Sequence, residues 1–172
     1  MTRRILCGLL LAAGMIMPVH AQDSFGLGPG SRPKRPLICM SDAELEAEAQ
    51  VRAGIILRAF ARTCAARGID GSILQKWSAF DSAHAEQLQA AVRRRNEAYA
   101  RNYPDDANAG QRVIDETLAS RGITHPSGQE CLSVAEVMNG LNTWEDFIAH
   151  ARLTQFGMVR NQIRRCRPQG AR

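Results

Sequence analysis

Apolar side chains recur at about every fourth residue after Ser41, which is the period of an amphipathic helix. The stripe consists of Leu45, Ala49, Ile56, Phe60 and Cys64, widened by Ile55 and Ala59. A capping box marks its start, because the Ser41 hydroxyl can accept from the Glu44 amide while the Glu44 carboxylate reaches back. Arg67-Gly68-Ile69 marks its end with a cation, a residue suited to left-handed backbone and an apolar contact. The pattern predicts a first helix between Ser41 and Arg67.

A second helical region opens at another apparent capping box, Ser72 to Gln75, and runs to Tyr103 with a break expected near Asp81. Its apolar stripe consists of Trp77, Phe80, Leu88, Val92 and Tyr99. A third helix is expected after an N-cap at Asp105 or Asp106. It holds Val113, Ile114 and Leu118 and ends at Arg121-Gly122-Ile123.

Two further helices complete the predicted set. The fourth covers Gln129–Met138, and the fifth begins at the N-cap Thr143 and ends at Cys166, before Pro168. The fifth stripe consists of Ile148, Phe156, Val159 and Ile163. Because no segment shows sustained β-branched alternation, we predict an all-α single domain of about five helices, arranged as an orthogonal or up-down bundle.

The first 21 residues have the pattern of a secretory signal peptide. Arg3 and Arg4 precede an apolar run that ends at Val19-His20-Ala21, a small-x-small cleavage site. The run is about 15 residues long, shorter than the roughly 20 that a membrane-spanning helix needs. We therefore predict a signal peptide over 1–21, a flexible Gly/Pro-rich leader over 22–38, the helical domain over 39–168 and a tail over 169–172. The favoured destination is a bacterial periplasm, with secretion as the alternative.

Four cysteines remain after removal of the signal peptide with its Cys7, and an even number in an oxidising compartment predicts two disulfides. A continuous first helix would separate Cys39 from Cys64 by roughly 33 Å, whereas a disulfide needs Cα atoms about 4.4–6.8 Å apart. Two pairings survive: Cys39–Cys166 with Cys64–Cys131, or Cys39–Cys131 with Cys64–Cys166. We favour the first, because it ties both ends of the domain together and makes the first and last helices antiparallel neighbours.

Composition narrows the class of protein without naming an activity. Hydrophobic residues make up 45% and charged residues 23%, as in ordinary globular domains. The net charge of +5 is mild, and it falls further when Arg3 and Arg4 are removed with the signal peptide. This charge argues against a nucleic-acid partner.

Polar side chains on the apolar stripe of the second helical region are the main candidates for ligand binding. His84 lies on that stripe and Arg95 lies close to it, and a polar group on a buried face needs a partner. A small anion or cofactor pocket formed by Trp77, His84, Arg95 and Tyr99 is one interpretation. The alternative is a single hydrogen bond at His84 and an Arg95 stem that leads its charge outwards.

Motifs for catalysis or metal binding are not found. The chain has no nucleophile elbow, phosphate-binding glycine loop or histidine pair with metal spacing, so we predict no catalytic residue, no metal and no cofactor. Asp146 and His150 are four residues apart, but a solvated helix face explains them better. The methionines Met40, Met138 and Met158 are expected to fill the core.

Basic residues accumulate at the end of the chain, where no acid follows Asp146. On the predicted fifth helix Arg160, Arg164 and Arg167 would share one face and could dock on a protein or an anionic component of the cell envelope. Ordinary placement of cations at a helix C-terminus is the alternative.

The sequence therefore predicts an exported, soluble, non-enzymatic interaction or accessory protein. It predicts no transmembrane segment once the signal peptide is removed. One alternative is a small-ligand or metal binder near His84 and Arg95. Another is a hydrolase whose acidic residues carry no recognisable spacing. A cavity would favour the binder, whereas a flat apolar patch rimmed by arginines would favour the interaction protein.

Overall fold

The first helix is surrounded by all the others. The computed structural model describes residues 38–155 and 163–166, all of which belong to the unit Arg35–Arg172. The elements in chain order are β1 (Ile38–Met40), α1 (Asp42–Ala66), α2 (Ser72–Ala83), α3 (Ala85–Asn102), α4 (Ala109–Ser120), α5 (Gly128–Gly140), α6 (Trp144–Gln155) and β2 (Ile163–Arg165). Helix α1 packs against each of the five other helices. The mostly helical single domain is confirmed, with six helices and one short strand pair.

Burial on α1 explains its central position. Every residue from Ala47 to Gly54 is buried, and this stretch is longer than two turns, so the helix is covered around its whole circumference. Small side chains let neighbours come close: a Cβ built on Gly54 would lie 3.4 Å from Trp77 and 3.7 Å from Phe147. The amphipathic stripe predicted from the sequence is thus only part of the buried surface of α1.

The start and end of α1 lie where the sequence places them. The Ser41 amide donates to Glu44 Oε2 at 2.8 Å and the Glu44 amide to Ser41 Oγ at 3.4 Å, so the capping box is complete. After the helix, Gly68 adopts a φ of 68° and the Ile69 amide donates to the Cys64 carbonyl at 3.1 Å. Gly122, after α4, has a φ of 61° and forms the same kind of stop.

Several predicted boundaries need correction. Ser72 does not cap α2; the Asp70 carboxylate accepts from the Ser72 amide at 2.8 Å instead. The break in the second helical region falls at His84 rather than near Asp81. Helix α4 starts after Asn108, whose amide donates to Asp106 at 3.1 Å, so neither predicted aspartate is the N-cap.

Helices α5 and α6 begin with hydrogen-bonded caps. For α5 the cap is a complete box of Ser127 and Glu130, which the sequence interpretation overlooked. For α6 the predicted N-cap is confirmed, because the Asp146 amide donates to Thr143 Oγ1 at 3.2 Å and the Thr143 amide donates back to Asp146 at 2.9 Å.

Both disulfides have the favoured pairing. Cys39 is bonded to Cys166 with a Cα–Cα distance of 4.7 Å, and Cys64 to Cys131 with a distance of 5.8 Å. The unbroken α1 excludes Cys39–Cys64, as expected from its length.

Helix α6 runs antiparallel to α1, as the favoured pairing implied. Arg152, late in α6, donates to Glu46 at 2.8 Å, early in α1, whereas Phe147 meets Gly54 further along α1.

The prediction that the last helix continues from Ile163 to Cys166 is wrong. Ile163–Arg165 forms a parallel pair with Ile38–Met40, and the Cys166 amide donates to the Met40 carbonyl at 2.9 Å. The disulfide brings these two segments side by side, and the buried Ile38 and Ile163 join a core cluster with Tyr99 and Val113. Phe156 and Val159 of the predicted stripe lie outside the described residues, as do the predicted signal peptide, most of the leader and the tail.

A larger core cluster packs along α1 from Ala49 to Cys64. It contains the aromatic residues Phe60, Trp77, Phe80 and Phe147, with the sulfurs of Cys64 and Cys131. None of the described helices is long and apolar enough to cross a bilayer.

The junction between the start of α1 and the end of α3 gives a prediction for pH dependence. Arg101 donates to both oxygens of Glu44, at 2.7 and 2.9 Å, and this contact is the main reason that the pKa of Glu44 falls from 4.5 to about 2. A lowered pKa stabilises the fold above pH 4.5, and this stabilisation is lost as the pH falls towards 2. Because Arg101 is half-exposed, we expect Glu44→Gln to lower the free energy of unfolding by about 1–2 kcal/mol at pH 6.

Urea denaturation between pH 2 and 6 measures this contribution. The deficit of Glu44→Gln should shrink steadily towards pH 2, where about half of the wild-type carboxylate is itself protonated. The matched control is Glu130→Gln, which removes the acid of a capping box that has no arginine contact in the described structure. A deficit of equal size at pH 2 and pH 6 would contradict the assignment.

Candidate functional site

A carboxylate buried at the centre of the domain holds two arginines. Glu48 on α1 is 0% exposed, and its Oε2 accepts from Arg95 Nε of α3 at 2.6 Å. Its Oε1 accepts from Arg52 Nε, one turn further along α1, and from the Tyr99 hydroxyl at 3.2 Å. We call Glu48, Arg52, Arg95 and Tyr99 the ionic cluster; it ties α1 to α3.

Helix α4 closes the ionic cluster from the other side. Arg95 Nη2 donates to the Gly110 carbonyl at 2.8 Å, and Arg52 Nη1 donates to Thr117 Oγ1 at 3.3 Å. The Arg95 guanidinium also lies over the Tyr99 ring, 4.5 Å from its centroid. These contacts use the planar fork of arginine, which a lysine could not reproduce.

The protonation states in the ionic cluster follow from burial and from neighbouring charges. Burial is the largest cause that raises the pKa of the Tyr99 phenol, and the negative charge of Glu48 raises it further. Tyr99 therefore stays protonated and acts as a donor. For Arg52, burial alone would lower the pKa, but the charge and hydrogen bond of Glu48 outweigh it and raise the pKa overall. One carboxylate is shared by two cationic side chains, so Glu48, Arg52 and Arg95 together carry a formal charge of +1.

A cavity of about 610 Å³ lies beside the ionic cluster, between α1, α3 and α4. Its walls are mainly apolar, with α1 and α3 as the two long sides. The apolar lining residues are Val51, Gly54, Ile55, Trp77, Leu88, Val92, Ala100, Ala107, Gly110 and Ile114. Arg95 and Tyr99 border one end of the cavity, and Trp77 with Arg58 and Asp81 borders the other. The size and the ratio of apolar to polar lining groups are typical of small-molecule sites.

Charged side chains at the mouth of the cavity are paired. Arg58 Nη2 lies 2.7 Å from Asp81 Oδ1, with its guanidinium 5.8 Å from the centre of the Trp77 ring. Asp106 accepts from Arg112 Nη1 at 2.7 Å. Asp81 therefore has Arg58 as its charged partner in the described structure.

The structure brings together three of the four predicted ligand residues. Trp77, Arg95 and Tyr99 all line the cavity, but His84 does not. The imidazole lies at the α2–α3 junction, 4.5 Å from the Phe80 ring and 5.7 Å from the Trp144 ring, beside a separate hollow of about 390 Å³. Among the described residues, His84 Nδ1 and Trp77 Nε1 are buried without a protein partner.

The chain has no counterpart in three comparisons with known proteins. No family model, no curated protein and no solved structure matches it. The cavity with the ionic cluster is the feature that combines apolar walls with charged and hydrogen-bonding side chains, and it is therefore the candidate functional site.

The predicted basic docking face falls mostly outside the described residues. Arg160 and Arg167 lie there, and Arg164 is an exposed residue of strand β2 rather than of a helix. The prediction that the three arginines share one helical face is therefore wrong at Arg164, which belongs to a strand. Docking itself stays a prediction.

Metal ligation finds no geometric support in the described part of the chain, which holds no cluster of three or more histidines, cysteines or acids. Asp146 is engaged by the amides of Asn142 and Thr143, at 3.1 and 2.9 Å. Burial lowers the pKa of His150. Met40 and Met138 are core residues, as predicted, and Met158 lies outside the described residues.

Sequence reasoning missed Glu48, Arg52, Thr117 and Gly110. The available signal was a glutamate and an arginine four residues apart within an alanine-rich stretch of the first helix. That spacing usually marks an exposed ion pair. Burial turns it into the anchor of the site.

Proposed function

We propose that the protein is an exported, non-enzymatic binding protein whose cavity between α1, α3 and α4 takes a small, elongated and largely apolar molecule. The observation that carries the proposal is the cavity itself, with apolar walls along α1 and α3 and a few polar groups at its ends. Two disulfides fit an oxidising compartment. Together with the signal-peptide pattern over 1–21, the disulfides favour the bacterial periplasm as the location of the protein, and secretion is the alternative.

Exposed apolar side chains support a small ligand over a docking partner. Within the described residues the large ones are Ile69, Val92, Leu132 and Leu153. They lie in the loop after α1 and on α3, α5 and α6, so they belong to four different parts of the chain. A flat apolar patch rimmed by arginines would have favoured an interaction protein.

The acids that line the cavity do not favour hydrolysis. Asp81 and Asp106 each form an ion pair with an arginine. Glycoside hydrolysis needs a pair of carboxyl groups with the substrate between them, and both of these carboxyl groups are already engaged by arginines.

Binding of the uncharged fluorescent probe N-phenylnaphthylamine tests the proposal. We expect saturable binding to the purified protein with a dissociation constant in the micromolar range. Ala100→Phe places a large ring on the exposed face of α3 that lines the cavity, and should weaken binding by about tenfold or more.

The matched control is Ala119→Phe, an exposed alanine of α4 that does not line the cavity. It should leave the affinity for the probe unchanged. The proposal fails if the wild type does not bind the probe, or if both variants weaken binding equally while both remain folded.

A further inference from the structure

We infer that the ligand of the cavity is an amphipathic anion whose carboxylate contacts Arg95 and whose apolar chain lies along α1 and α3 towards Trp77. The inference rests on the proposed function, since it assigns the chemical class and the orientation of the molecule in that cavity. It goes further because it makes one end of the cavity selective for negative charge.

Arg95 shares its carboxylate with a second arginine. It is 2% exposed, and the carboxylate that it contacts among the described residues, Glu48, also holds Arg52. A buried guanidinium that shares its counter-ion gains from a second anion, because the surroundings are low in dielectric and water is largely excluded.

Hydrogen-bond capacity of Arg95 remains at the cavity side. Nε donates to Glu48 and Nη2 to Gly110, both within 2.8 Å, whereas the partner of Nη1 among the described residues is the exposed Asn96, at 3.4 Å. The remaining contact is long, so Nη1 is the guanidinium nitrogen best placed to donate to a ligand. A charge-assisted bond from arginine to a carboxylate is one of the stronger hydrogen bonds in proteins.

Gly110 packs directly against Nη1. A Cβ built on Gly110 would lie 3.0 Å from Arg95 Nη1 and 3.4 Å from the Tyr99 ring, and Gly110 lines the cavity. A residue with a Cβ would displace the guanidinium, so the glycine keeps Nη1 at the border of the cavity.

Apolar residues continue from this end along the cavity. On α1 they are Val51 and Ile55, and on α3 they are Val92 and Leu88. The helix rises by about 10 Å over the seven steps from Leu88 to Arg95, which is close to the length of a medium alkyl chain. A fatty-acid-like molecule with a chain of this length therefore matches both the charge and the shape of the cavity.

Calorimetric titration of the wild-type protein with decanoate and decanol at pH 7 tests the inference without any mutation. The two probes share an alkyl chain and differ in the charge of the head group. We expect decanoate to bind about tenfold more tightly than decanol or better. Equal affinities would overturn the inference and leave the proposed function intact, whereas failure of both probes to bind would overturn both.

A pair of glycine variants places the carboxylate at Arg95. Gly110→Ala displaces Nη1 from the border of the cavity, and we expect it to weaken decanoate by about tenfold and decanol by less than threefold. The control Gly128→Ala adds the same methyl group near the start of α5, where nothing lies within 4 Å of it. Unchanged decanoate binding by folded Gly110→Ala, or equal losses for both probes, would overturn the placement.

Discussion

Glu48→Gln is expected to lower the free energy of unfolding by about 3–5 kcal/mol, because it leaves two buried guanidiniums without their carboxylate. The carboxylate contacts Arg52, Arg95 and Tyr99 at once, and among the described residues it forms the buried ion pair between α1 and α3. Gln preserves the size of the side chain, so the loss measures charge rather than packing. Urea denaturation at pH 7 gives the value.

Glu46→Gln is the matched control for Glu48→Gln. Glu46 lies on the same helix and pairs with Arg152, but this pair is exposed, so its loss should cost less than about 1 kcal/mol. Similar destabilisation by the two variants would show that Glu48 does not act as the buried counter-ion of the cluster.

The double variant Cys64→Ala/Cys131→Ala is expected to lower the free energy of unfolding by about 2–5 kcal/mol. Both cysteines are fully buried, and the bridge fastens α5 to α1. Two residues of α5 are buried, Cys131 and Met138, while its other core-facing side chains, Val134, Ala135 and Val137, are only partly buried, so the bridge supplies a large share of its anchoring. Hydrogen exchange should therefore show its largest loss of protection in α5.

The second disulfide provides the comparison. Cys39→Ala/Cys166→Ala removes the link that aligns β1 with β2, so its loss of protection should fall on Ile38–Met40 and Ile163–Arg165 and spare α5. If α5 keeps its protection after removal of Cys64–Cys131, the bridge is not what holds that helix in place.

Local signals account for most of the fold that could be predicted. The capping box at Ser41 and the glycine stops at Gly68 and Gly122 act through neighbouring residues, so they can be recognised in the sequence. The disulfide pairing could not be recognised from neighbouring residues alone. The length of an unbroken first helix excludes Cys39–Cys64, and the choice between the two pairings that survive rested on tying the ends of the domain together.

The short strands could not be predicted from the pattern. Ile38–Met40 and Ile163–Arg165 have three residues each, too few for an alternation to be visible. Their pairing depends on contact between the two ends of the domain, which a local pattern does not contain.

The site could be predicted only in part, and the reason is geometric. Arg95 stood out as a polar residue near an apolar stripe, but its partner Glu48 lies 47 residues earlier in the chain. His84 was placed on the same face because one apolar stripe was drawn through the whole second helical region, across the break expected near Asp81. The break at His84 changes the phase of the helical period, so α2 and α3 present different faces and His84 is directed to Phe80 and Trp144 instead of the cavity.

Methyl-resolved NMR with decanoate gives the most direct test of binding in the cavity. The methyl groups of Val51, Ile55, Val92 and Ile114 should shift together and saturate with one binding curve. Non-specific adsorption of an amphiphile would instead reach the exposed leucines, Leu132 at 55% and Leu153 at 74% exposure. Saturable shifts confined to the cavity methyls would support the site; shifts confined to those leucines, or no shifts at all, would contradict it.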